Sequence, residues 1–147
     1  MVELLRGEAL ALLASVQVGR VAFSHQALPA IRPVNHLVGE HGDIIIRTHT
    51  GAALLSRALL SEVVAYEADQ FDPEIRTGWS VVVTGTATRV CDPMELAHYQ
   101  AMLTPWVDSE ADQLVRIRSD IVTGYRLRRS SSQQADDPPD GHRSLPA

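Results

Sequence analysis

The residues best placed to do chemistry lie in one run, Asp43–Leu60, DIIIRTHTGAALLSRALL. An apolar strand delivers Arg47, Thr48 and His49 to Thr50 and Gly51, and a helix opens directly after them. Free backbone N–H groups and the helix dipole at such a start both favour an anion, so the pattern suits a phosphate. Where a lysine would complete the cradle the chain has Ala52 and Ala53, and none of its 147 residues is lysine. Arg57, further along the helix, is the next cation. On spacing alone the same run also reads as a solvated arginine, a helix cap at Thr50 and a surface glycine turn.

Other reactive residue types give weaker patterns. The histidines at 25, 36, 41, 49, 98 and 142 form no pair at helical metal-ligand spacing. Ser24-His25 carries no nucleophile-elbow pattern. Cys91 stands alone at a strand end. Trp79 and Trp106 stand out because aromatics are only 5% of the chain. Each is either packing or a stacking surface for a planar ligand.

Thirteen basic residues, all arginine, face 18 acidic ones, for a net charge of −5. That balance argues against nucleic acid or an anionic membrane as the main partner. One cysteine excludes a disulfide framework. The N-terminus lacks a basic start, carries Glu3 and Glu8, and no apolar run is long enough to span a bilayer. These features predict a cytoplasmic protein.

Period-two and helical patterns set the elements that position these residues. Leu4, Leu5, Ala9, Leu12, Leu13 and Val16 predict an N-terminal helix. Strands are expected at 18–24, 29–38, 43–47, 62–69, 79–90, 113–117 and 121–127. Helices are expected at 51–60 and, behind an Asp92-Pro93 start, at 94–102. In the longest strand Trp79, Val81, Val83, Gly85 and Ala87 share one face. Pro33 interrupts the second strand's ladder, which predicts an edge or bulge with Arg32, Val34 and Asn35 offering free backbone groups. Residues 1–129 read as one domain, a small antiparallel barrel. Residues 130–147, poor in apolar side chains, read as a flexible polar, acidic tail.

In order, GRVAFS, LPAIRPVNHLV, DIIIRTHTG, VVAYEADQFD, GWSVVVTGTATRV, PW and VRI with VTGYRL resemble the pyridoxamine 5′-phosphate oxidase-like, FMN-binding split-barrel family, in its short bacterial, actinobacterial form. The resemblance implies a mainly β, six-stranded antiparallel Greek-key split barrel with peripheral helices. It implies a homodimer with two flavin sites at the subunit interface. By position, Pro33, Val34 and Asn35 would run along the flavin ring. Arg47, Thr48, His49, Gly51, Ala52 and Ala53 would line the ribityl and phosphate, with Arg57 nearby. Trp79, Ser80 and Trp106 would face the ring or the pocket mouth. Many relatives place a lysine where this chain has Ala53.

The implied activity is FMN-dependent oxidoreduction between a reduced nicotinamide and a small organic acceptor. A non-catalytic binder of flavin or another planar ligand is the alternative, and a deazaflavin-dependent reductase a further one. Vitamin-B6 oxidation itself is not expected, because the chain ends in an acidic stretch rather than a basic substrate-binding segment.

Overall fold

A computed structural model describes residues 1–49, 52–103 and 112–129. Trp106, Gly51, Thr50 and the 130–147 stretch therefore lie outside the described residues. The elements run β1 (Val2–Glu3), α1 (Arg6–Ala14), β2 (Val18–His25), β3 (Leu28–Val38), β4 (Ile44–His49), α2 (Ala53–Leu59), β5 (Val63–Asp72), β6 (Thr77–Arg89), α3 (Pro93–Met102), β7 (Asp112–Ile117) and β8 (Ile121–Leu127).

All strand pairs are antiparallel, in the order β1-β8-β6-β5-β2-β3-β4-β7, and β6 also pairs with β7. That last pairing closes six strands, β2 to β7, into a barrel of the expected kind. The split lies on β6. Its first half pairs with β8 from Gly78 to Thr84, and its last residues, Ala87–Arg89, pair with β7 on the same side. Gly85 marks the changeover, because a Cβ there would strike the Arg118 carbonyl. β8 and the two-residue β1, too short to read from sequence, extend the sheet beyond the ring.

Alternation along the strands builds the core. Val21 and Phe23, Ile44 and Ile46, Val64 and Tyr66, Trp79 to Ala87 at every second position, and Val115 and Ile117 all point inward. Leu54, Leu55 and Ala58 of α2 and Ala9 and Leu13 of α1 join the same cluster. Burying each such side chain contributes roughly 1.5–3 kcal/mol. A second cluster, Ile45, Val90, Leu103 and Leu114, lies on the other face of β4 and β7, with Leu96 and Tyr99 of α3 packed on it.

Local signals account for the element ends. Asp92 accepts the Glu95 N–H at 3.2 Å and Pro93 fills the first turn of α3, as the sequence predicts. β4 runs past the predicted end, because β7 continues the ladder through Arg47↔Leu114, Thr48↔Gln113 and His49↔Asp112. The strand therefore extends through His49. The β2–β3 turn uses Gln26 (φ 51°) and Ala27 (φ 61°), both left-handed without glycine.

Candidate functional site

The β3 edge follows from register. His25 and Leu28 flank a two-residue turn and so form a hydrogen-bonded pair, after which bonded and unbonded pairs alternate. The parity holds at the far end, where the His36 N–H donates to the Gln17 carbonyl at 3.0 Å. Pro29 and Pro33, paired with Ser24 and Arg20, fall on unbonded pairs, so neither ring removes a ladder bond. Arg32 and Val34 fall on bonded pairs. Their backbone groups turn to β2, which corrects the expectation that they are free. Along the open edge the groups turned outward belong instead to Ile31, whose carbonyl accepts from the Arg32 guanidinium at 2.9 Å, and to Pro33, which has a carbonyl alone. Among the described residues, β4 pairs with β3 only over His36–Val38, so Leu28–Pro33 is an open edge.

Side chains divide between the two faces. Ala30, Val34 and Val38 pack on the barrel core. Pro33 is on the outer face, exposed, with Asn35 half-buried. Arg47 lies on that outer side too, next in alternation after Ile45, and its guanidinium donates to the Gln100 carbonyl of α3 at 3.4 Å. Ser80 is half-buried on the outer face of β6, opposite Asp69. Trp79 points the other way, 5% exposed in the core with its edge reaching the groove beside the β5–β6 hairpin.

At the start of α2, Ala52 provides no side-chain cap. Ala53 and Leu54 occupy the first two helical positions, where an N–H has no carbonyl one turn back to bond. Arg47 precedes this end along the chain, with its guanidinium on the Gln100 carbonyl of α3. Arg57 is committed elsewhere: its Nη1 donates to Glu62 at 3.0 Å, while its buried Nε has no partner among the described residues.

A charged group that sequence reading missed lies on the same outer face. Arg20 sits opposite both Pro33 and Glu67, and its Nη1 is 3.3 Å from Glu67 and 3.7 Å from Asp69. Burial, with the neighbouring Asp69 carboxylate adding to it, raises Glu67 to about 7 despite the arginine. The signal was present as charges at alternate positions, Glu67 and Asp69, following the apolar run Val63–Tyr66. Their meeting with Arg20 needs the β2–β5 register. Glu67 is thus a carboxyl able to give or accept a proton near neutral pH.

Behind β3 lies a buried polar couple. His36 and Tyr66 are 6% and 0% exposed, their rings T-shaped with centroids 5.0 Å apart. The Leu13 carbonyl, 2.7 Å from His36 Nε2, can only accept, so Nε2 carries the proton. Nδ1 then accepts the Tyr66 hydroxyl. The Tyr66 oxygen is also 3.4 Å from the Val34 carbonyl. Burial lowers the His36 pKa, which keeps the ring neutral, and burial likewise raises Tyr66. Gly19 makes room for the hydroxyl, since a Cβ there would overlap it. The couple ties α1 to β3 directly behind Val34.

Among the described residues no group of three or more metal-ligating side chains occurs, and no helix is long and apolar enough to cross a membrane.

Residues 6–126 match the family described as pyridoxamine 5′-phosphate oxidase. The uncharacterized protein Rv0080 of Mycobacterium tuberculosis is 57% identical over 130 residues, covering 86% of this chain and 85% of that one. The solved FAD-binding protein from Mycobacterium smegmatis is 35% identical, with a TM-score of 0.73 over 86% of this chain and all 100% of its own. A conserved protein of unknown function from Corynebacterium diphtheriae is 30% identical, with a TM-score of 0.69 over 87% of this chain and 98% of its own.

Proposed function

From the chain's membership of the pyridoxamine 5′-phosphate oxidase family, shown by the match across residues 6–126, we propose that it is a flavin-binding oxidoreductase using FMN. The observation that supports this reading is the run from β4 into α2, where Arg47 near the strand end is followed along the chain by a helix start with no side-chain cap. The outward Ile31 N–H and Pro33 carbonyl present one donor and one acceptor to a planar heterocycle's edge. Arg47 and the N–H groups of Ala53 and Leu54 suit a phosphate. The resemblance to a protein solved as FAD-binding supports a flavin as the planar group.

When bound, the flavin supplies the hydride and electron chemistry between a reduced nicotinamide and a small organic acceptor. The chain's own residues orient and hold. Pro33 fixes the edge, the His36–Tyr66 couple supports Val34 from behind, and Glu67 holds a proton on the outer face. The site is completed by a second copy of the chain, consistent with exposed apolar residues such as Ile31, Val63 and Ile121 on the outer sheet face.

The test is titration of the purified protein with FMN and FAD, followed by flavin fluorescence, with size measured by light scattering. Arg47→Ala removes one charge-assisted contact worth about 1.5–3 kcal/mol, so FMN should weaken by roughly one to two decades. Unchanged affinity would move the anion away from Arg47. No flavin binding by the wild type would reject the reading.

Ala53, where many relatives carry lysine, favours a second reading, a flavin carrier without turnover. Rapid reduction of the bound flavin by a nicotinamide donor, with transfer onward, would exclude it.

A further inference from the structure

We propose that the groove between the β5–β6 hairpin and the end of β8 is a second ligand site, one that takes a phosphate-bearing nucleotide. The groove has a volume of about 640 Å³ and brings Arg126, Arg128 and Arg129 together with Phe71, Asp72 and the edge of Trp79. It has no residue in common with the Arg47–Ala53 run.

Three observations define what it would bind. The first is charge. Three guanidinium groups face one carboxylate here, in a protein whose net charge is −5. The second is that these cations are unspent. Arg20, Arg57, Arg116 and Arg118 each hold a carboxylate, whereas Arg126, Arg128 and Arg129 make no ion pair or hydrogen bond among the described residues. A guanidinium fork without a partner matches phosphate oxygens two at a time.

The third is an aromatic ring left in the open. Phe71 lies across the ladder from Gly78, and one side of its ring covers the space a side chain would fill there. Phe71 is nevertheless 55% exposed. Phe71 shares Leu127's face of the sheet while Arg126 and Trp79 lie on the other, so the exposed ring flanks the groove at the hairpin edge. There it offers a stacking surface to a base whose phosphate the arginines hold. Neither half suffices. Phosphate alone would leave the ring wet, and an uncharged ring would leave the arginines unpaired.

The nucleotide unit common to reduced nicotinamide donors is adenosine phosphate. As the docking place of such a donor the groove rests on the oxidoreductase reading, but nucleotide binding stands without it.

Calorimetric titration of the full-length protein with 5′-AMP, adenosine and inorganic phosphate tests the inference. One 5′-AMP per chain is expected, with adenosine and phosphate each weaker by about tenfold or more. The Arg126→Gln/Arg128→Gln/Arg129→Gln variant should lose about tenfold or more in 5′-AMP affinity, and Phe71→Leu should weaken 5′-AMP but not phosphate. A thermal melt confirms that each variant is folded. The inference is overturned by wild-type protein that does not bind 5′-AMP, by undiminished binding in the triple variant, or by phosphate binding as tightly as 5′-AMP. FMN titration of the same triple variant separates the two sites. Retained FMN affinity is expected, and its loss would assign the arginines to the flavin and overturn a separate site. Failure of 5′-AMP alone leaves the flavin reading standing; failure of FMN alone leaves the groove.

Discussion

Tyr66→Phe removes one oxygen atom from the interior, and its cost can be worked out from the contacts. The ring keeps its place, including the edge contact to His36 at 5.0 Å. What is lost is the donor to His36 Nδ1, in a pocket where the histidine is only 6% exposed. A buried acceptor left without a donor costs about 1–3 kcal/mol, so roughly 2 kcal/mol is expected. With a urea slope of about 2 kcal/mol per molar, the midpoint should fall by about 1 M. Urea unfolding followed by circular dichroism at pH 7.5 measures it. His36→Leu in the same background sharpens the test. The Leu13 carbonyl keeps the Val16 N–H at 3.5 Å, and replacing both partners by apolar groups leaves no orphan between them. The double variant should therefore cost less than the two single costs added, with a coupling of about 1 kcal/mol or more. A Tyr66→Phe cost below about 0.5 kcal/mol, or strictly additive costs, would refute the proton arrangement assigned to the couple.

The remaining predictions concern titration and backbone. His36 has a folded pKa lowered by burial from 6.5, so the unfolded chain binds its proton first. The stability it contributes is complete above about pH 6.5 and is lost as the pH falls below it, a loss that His36→Gln should blunt in urea midpoints measured from pH 7.5 to 5.5. Gly85→Ala should cost more than about 3 kcal/mol, or abolish soluble folded protein, because its Cβ would meet the Arg118 carbonyl where β6 leaves β8 for β7. A thermal melt indistinguishable from wild type would mean that the split lies elsewhere. Ala27→Gly relieves a left-handed alanine at φ 61°, and a gain of about 1 kcal/mol in urea unfolding is expected. Destabilisation would show that the turn is not strained.

Much of the fold was legible because a strand repeats every two residues and a helix every 3.6, so local order reports which side is buried. The alternation from Trp79 to Ala87 named the inward face of β6, and Asp92-Pro93 marked the start of α3. The fold class and the family followed from the order of such segments. The succession of strand, Arg47 and helix start was likewise visible, since these are contiguous in the chain.

Tertiary structure alone decided what each group faces. Pro33 signalled an edge, but only the register showed that Ile31 points its backbone outward while Arg32 and Val34 do not. Arg57 was visible as a cation of the α2 run, but its ion pair with Glu62 needed the fold. Trp79 lies in the core by its alternation, and only the pairing of β6 with β8 brings its edge to a groove beside Arg126. Arg20, Glu67 and Asp69, the His36–Tyr66 couple, and the three arginines near Phe71 are assembled from separate strands. Their proximity depends on ladder register, and register is set by turn geometry and by closure of the barrel rather than by local composition. The sequence determined which elements form and in what order; the pairing of those elements determined the chemistry each residue can reach.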